Sequence, residues 1–98
     1  MYLIAIACYP QESATELGKR FMEAKPAPDF MTTTGPFIKS TLEGTKTIAI
    51  YDFDPSKYTE ATDYLNNRYA AYHGVPGFRY SLEEWLGVME ALKLIGLG

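Results

Sequence analysis

Few side chains in this sequence have the chemistry to act on a bound molecule. His73 is the single histidine, and the pattern around it places it at the end of a helix. There an imidazole can simply favour the negative end of the helix dipole. It can also serve as a general base or as an axial haem ligand. Cys8 is the single cysteine and sits within an apolar run, where a thiol behaves as a small hydrophobe rather than as a nucleophile. One Cys and one His cannot form a structural zinc site within one chain, so no metal is expected. Asp52 and Asp54 are the nearest carboxylate pair. Asp54 precedes a proline as helix caps do, which leaves Asp52 at a strand end facing water.

The aromatic residues are more plentiful than these titratable groups. Eight tyrosines and five phenylalanines exceed what the core of a 98-residue domain requires. An aromatic core with an aromatic interface accounts for them. So does a pocket between sheet and helices lined by Tyr9, Tyr51, Phe53, Tyr69, Tyr72 and Trp85. Ligand pockets are mostly apolar with a few orienting polar groups, here the tyrosine hydroxyls, His73 and Arg79. Gly74, Gly77 and Gly87 make no dinucleotide fingerprint, and no Walker-type lysine follows a glycine run.

Composition narrows the field. Hydrophobic residues make up 47% and charged residues 21%, as in soluble globular proteins. At this length residues 1–98 form one domain. Nine basic against twelve acidic residues disfavour a polyphosphate partner. No apolar stretch approaches the ~18 residues of a membrane span, and the first residues lack the basic region of a signal peptide. A lone cysteine excludes an intramolecular disulfide framework and suits a reduced, cytoplasmic setting.

The elements that must position these residues follow from periodicity. Tyr2 to Tyr9 reads as a strand apolar on both faces, with Tyr2, Ile4, Ile6 and Cys8 opposite Leu3, Ala5, Ala7 and Tyr9. Ser13 with Glu16 has the form of a capping box, and Ala14, Leu17, Gly18, Phe21 and Met22 follow as a helical stripe. Pro26 and Pro28 end that helix. Phe30 to Leu42 is extended and Thr-rich, and Gly35-Pro36 confines it to a sheet edge or demands a bulge. Glu43-Gly44 turns into Thr45 to Phe53, a second doubly apolar strand. Asp54-Pro55 then caps a helix carrying Tyr58, Ala61, Thr62, Leu65, Tyr69 and Tyr72 as far as Gly74. Phe78, Tyr80 and Leu82 alternate as a short strand. Ser81 with Glu84 predicts a third helix bearing Leu82, Trp85, Leu86, Met89 and Leu92.

The order β-α-β-β-α-β-α is that of the α+β, ferredoxin-like split βαβ, with an extra C-terminal helix. Its four-stranded antiparallel sheet has the first and third strands at the centre and helices on one face. Those two strands are the doubly apolar ones. Their second face, with Ile48 and Ile50, lacks a cover within the chain and predicts a homodimer of face-to-face sheets. From Tyr2 to about Leu92 the chain resembles the dimeric α/β-barrel superfamily, on this element order, the central strands, the Asp54-Pro55 cap and the helix after Ser81. That superfamily includes cofactor-independent monooxygenases, lactone isomerases, haem-degrading enzymes, amino-acid-sensing domains and many uncharacterised members. The resemblance implies a dimeric barrel and places a haem-ligating histidine near His73. The asparagine of the haem-degrading branch has no counterpart on the first strand here.

Three classes of function follow. An RNA-recognition motif shares the strand order, but Lys46-Thr47-Ile48-Ala49-Ile50-Tyr51-Asp52-Phe53 puts Ile48 and Ile50 where its stacking aromatics belong, so no nucleic acid is expected. A cofactor-independent enzyme would use His73 to take or relay a proton, with Tyr51 or Tyr69 orienting a substrate oxygen. A homodimer holding an apolar or aromatic small molecule in its pocket needs least, and sparse titratable groups with abundant aromatics suit it.

Overall fold

A computed structural model describes residues 1–98. Strand β1, Tyr2–Tyr9, runs through the middle of the molecule with Leu3, Ala5 and Ala7 buried on one face. Helix α1 is Ala14–Met22, followed by strands β2, Met31–Thr41, and β3, Gly44–Phe53. Helix α2 is Tyr58–Ala70, strand β4 is Arg79–Trp85, and helix α3 is Val88–Leu94. The chain is therefore an α+β structure with a four-stranded antiparallel sheet ordered β2-β3-β1-β4 and three α-helices, consistent with a ferredoxin-like arrangement. The two strands read as apolar on both faces are the central pair.

β1 and β3 pair residue for residue from Tyr2↔Asp52 to Tyr9↔Thr45. That register puts Leu3, Ala5, Ala49, Tyr51 and Phe53 on the face covered by helices, where Met31, Ala61 and Leu65 join them in the main core. Ala61 and Leu65 are wholly buried, one turn apart on α2. A smaller cluster of Leu17, Tyr72 and Val75 lies towards the other end of the sheet. β2 is an edge strand whose pairing slips between Thr34 and Phe37, so Gly35-Pro36 gives both the edge and the bulge. Gly35 has φ +92°, and a Cβ there would lie 2.9 Å from the Ile48 carbonyl oxygen, so the bulge admits only glycine at that position.

Several local signals are overridden by tertiary structure. Ser13 does not cap α1. Its backbone is already helical, with φ −92° and ψ −2°, and its hydroxyl donates instead to the Pro76 carbonyl at 2.6 Å. The extended residue is Pro10, and a 3₁₀ turn at Gln11–Ser13 leads into α1. Glu16 accepts from Arg20 Nε at 3.0 Å rather than closing a capping box. On the α1 stripe only Leu17 is buried; Ala14, Gly18 and Phe21 are exposed where the helix borders an open cavity, and Met22, the last residue of the helix, is 82% exposed.

The Ser81–Glu84 capping box does not form either. Residues 81–85 stay in β4, with Leu82 opposite Ala5 and Trp85 opposite Tyr2. Ending the strand at Ser81 would strand the backbone groups of β1 along half its length, which costs more than a cap returns. Helix α3 starts only at Val88, where the Glu90 carboxylate accepts from the Gly87 amide at 3.0 Å. The hairpin between β2 and β3 turns at Leu42-Glu43, with Gly44 already paired to Thr41. Asp54 caps as expected, accepting from the Ser56 amide at 2.9 Å over a 3₁₀ turn at Pro55–Lys57. Helix α2 stops at Ala70, and Gly74 takes a left-handed φ of +85° in the turns that follow.

Candidate functional site

The helices do not close completely on the sheet. Ala7 and Thr47 face each other across β1 and β3, and Ala14 and Gly18 are one turn apart on α1. All four are small, and between them opens a cavity of about 330 Å³. A Cβ added to Gly18 would meet nothing within 4 Å, as expected of a residue bordering open space. Leu17 and Phe21 of α1 form one wall, Pro36 and Ile38 of the bulged edge strand another. Aromatic residues complete the lining: Tyr9, Tyr51, Tyr69, Tyr72 and Phe78.

Four rings form a closed circuit at one side. Tyr69 stacks on Tyr80 with centroids 5.1 Å apart, Tyr80 on Phe78 at 5.9 Å, Phe78 tilts against Tyr72 at 5.1 Å, and Tyr72 meets Tyr69 edge-on at 6.0 Å. Offset and edge-on contacts of this kind hold aromatic walls in place.

Polar groups in the lining are few and come from the central strands and from α2. The hydroxyls of Tyr51 and Tyr69 lie 3.0 Å apart. One phenol donates to the other, so the acceptor keeps its own proton free to donate elsewhere. Burial pushes both phenols above the usual tyrosine value, so they remain neutral donors through the neutral range and cannot act as bases there. Thr47, Tyr9 and Tyr72 also bring hydroxyls to the lining, and its one charged group is Arg68, four residues before Tyr72. Its Nη1 donates to the Tyr72 hydroxyl at 2.5 Å. Its guanidinium carbon lies 5.3 Å from the centre of the Phe21 ring and 5.2 Å from that of Tyr72.

Of the residues singled out in the sequence, Tyr9, Tyr51, Tyr69 and Tyr72 meet in this cavity. Phe53 does not; it shares a face with Tyr51 but lies in the main core beyond it. Trp85 and Arg79 pair with Tyr2 and Cys8, which puts them on the opposite face of the sheet, where Trp85 is 53% exposed. His73 is exposed in the turns after α2 and borders a second pocket, also lined by Tyr69, Tyr72 and Phe78. Arg20 Nη1 donates to its carbonyl at 2.7 Å and to that of Ala71 at 3.0 Å.

Cys8 is half-buried on the outer sheet face rather than enclosed in the core, and Asp52 is exposed. Arg68 is the charged group of the cavity lining that sequence reading passed over. Its spacing of four from Tyr72 and three from Leu65 was the available signal.

Haem is poorly suited to this lining. No imidazole borders the cavity, and burial disfavours the phenolate form in which a tyrosine would ligate iron. No group of three or more His, Cys, Asp or Glu side chains is gathered anywhere in the structure. No helix is long and apolar enough to cross a membrane.

The outer face of the sheet has a different character. Ile4 pairs with Ile50 and Ile6 with Ile48 at its centre, and Phe37 pairs with Ile48 from the edge. Phe37 is 56% and Ile48 37% exposed. Lys39, Lys46, Asp52, Arg79 and Glu83 lie around this apolar centre. The chain matches no protein-family model and no curated protein.

Proposed function

We propose that this protein binds a small apolar or aromatic molecule in the cavity between sheet and helices, and that it works as a homodimeric α/β barrel. The observation that carries the binding reading is the cavity lining: aromatic and alkyl walls, a few hydroxyls with the Tyr51–Tyr69 pair linked, and one guanidinium. Such a lining recognises shape and apolar surface and uses few polar groups for orientation. An acid–base enzyme working through His73 is the weaker reading, because neither an imidazole nor a carboxylate borders the cavity.

The homodimer reading rests on the outer face. The cross-strand isoleucines and Phe37 form a contiguous apolar centre with charged residues around it, as at protein interfaces. Packing two such faces together would bury the four isoleucines of each copy and make the barrel. The same isoleucines occupy the positions an RNA-binding sheet would give to stacking aromatics, so a second copy suits this face better than nucleic acid does.

Native mass spectrometry of protein purified without added ligand, repeated after denaturation, tests both parts. The expected result is a species of twice the 11.0 kDa chain mass carrying a small additional mass that denaturation releases. A monomer at micromolar concentration would overturn the barrel. A ligand-free dimer that also takes up no member of an aromatic compound library would overturn the binding reading.

A further inference from the structure

Arg68 is the only charged residue bordering the cavity, and no carboxylate lies within ion-pair distance of it; the ion pairs of the chain are Arg20–Glu16 and the Met1 amine with Glu90. A guanidinium carries five N–H donors, and the Tyr72 hydroxyl takes one of them. Part of the charge is offset by the rings of Phe21 and Tyr72 beneath it. No buried side-chain nitrogen lacks a partner, so the spare donors of this half-buried cation are open to water and to whatever enters the cavity. A ligand that displaces that water must replace its hydrogen bonds, which an anion does best.

We infer that the cavity ligand is an organic anion, a carboxylate on an aromatic or branched apolar body, with Arg68 receiving the carboxylate and the aromatic walls receiving the body. This rests on the binding reading above and adds the charge and class of the ligand to it. The planar guanidinium matches a carboxylate with two parallel N–H···O bonds, a geometry a lysine cannot provide. Arg68 is held in place for this by Tyr72 and Phe21, so little side-chain freedom remains to be lost on binding. The linked phenols of Tyr51 and Tyr69 stay protonated, so they add a neutral donor and no competing negative charge. The remaining borders, Ala7, Leu17 and Phe78 among them, are uncharged, so no second ionic group on the ligand has a counter-charge to meet.

The test compares an anion with its neutral near-isostere. Cinnamate and cinnamamide share ring, length and planarity and differ in charge. Each is titrated into the intact chain and followed by amide chemical shifts, with Ala7, Thr47 and Tyr69 reporting on the cavity. Cinnamate is expected to bind at least about tenfold more tightly, the ratio that a charge-assisted hydrogen bond provides. Arg68→Met is expected to bring the two affinities together, and Arg68→Lys to retain part of the difference. The comparison in the unaltered chain stands even if a variant fails to fold. Equal affinities for the two compounds would overturn the anionic class and leave the binding reading intact. Absence of any shift at the cavity amides with cinnamate would overturn the anionic class, while the binding reading falls only if the aromatic compound library also fails to bind.

Discussion

The Tyr51 hydroxyl lies 3.0 Å from that of Tyr69, so a single hydrogen bond joins the central strand β3 to α2 at the side of the cavity. Each phenol is partly withdrawn from water, and each depends on the other for a polar partner. This pair sets both the rigidity of the cavity wall and a distinctive response to alkali.

Burial raises the folded-state value of both phenols above that of a free tyrosine. A group whose folded value is raised contributes stability below its unfolded value, near 10, and loses it as pH rises beyond that point. Ultraviolet titration of the eight tyrosines should therefore show a late-ionising set that includes Tyr51 and Tyr69, together with Tyr58, whose phenol is raised by its hydrogen bond to Glu84. Urea midpoints should fall above about pH 10, and more shallowly in Tyr69→Phe. Identical alkaline profiles for the two proteins would refute the coupling.

Leu65 is wholly buried against the sheet, whereas Met22 is 82% exposed at the end of α1. Leu65→Ala should cost about 2–5 kcal/mol through lost burial and the cavity left behind. Met22→Ala should change stability by less than about 0.5 kcal/mol. Chemical denaturation at constant m-value distinguishes them. Comparable losses would contradict the assignment of core and surface.

The Ser13 hydroxyl ties the start of α1 to the Pro76 carbonyl, in the loop that leads into β4. Ser13→Ala leaves that carbonyl without its partner and should destabilise by about 1–2 kcal/mol. If Ser13 acted only as a helix cap, Ser13→Asn would restore the loss. The longer amide does not fit a buried hydroxyl's place, so Asn is expected to be no better than Ala. Thermal melts of the three proteins decide between these roles.

Ile48→Glu puts a charge at the centre of the outer sheet face. Ile48 is 37% exposed within one chain, so a single copy can keep the carboxylate in water and remain folded. Two charges brought together at an interface cannot be so accommodated. Sedimentation should show dimer for the unaltered protein and monomer for the variant, with unchanged circular dichroism. A variant that remains dimeric would place the interface elsewhere.

Much of this protein is determined locally. The doubly apolar runs at Tyr2–Tyr9 and in the middle of β3 identify the central strands, because edge strands face water along one side and do not sustain such composition. Gly35-Pro36 marks an edge strand with a bulge, since proline gives the ladder no donor. Asp54-Pro55 starts the second helical segment through a side chain reaching two residues along the backbone. These signals act over a few residues and survive folding unchanged.

What tertiary structure alone decided depends on pairing and on faces. Ser81 and Glu84 have the spacing of a helix cap, yet β1 needed a partner along its length, so the strand continued to Trp85. That continuation put Trp85 and Arg79 on the outer face, away from the cavity. Phe53 and Tyr51 share a face, but position along β3 sends one into the core and the other to the cavity. Arg68 looks like any solvated arginine on a helix until Phe21 arrives from α1 to cover it. Period-two alternation says which residues share a face, whereas only the register of four strands says what that face meets.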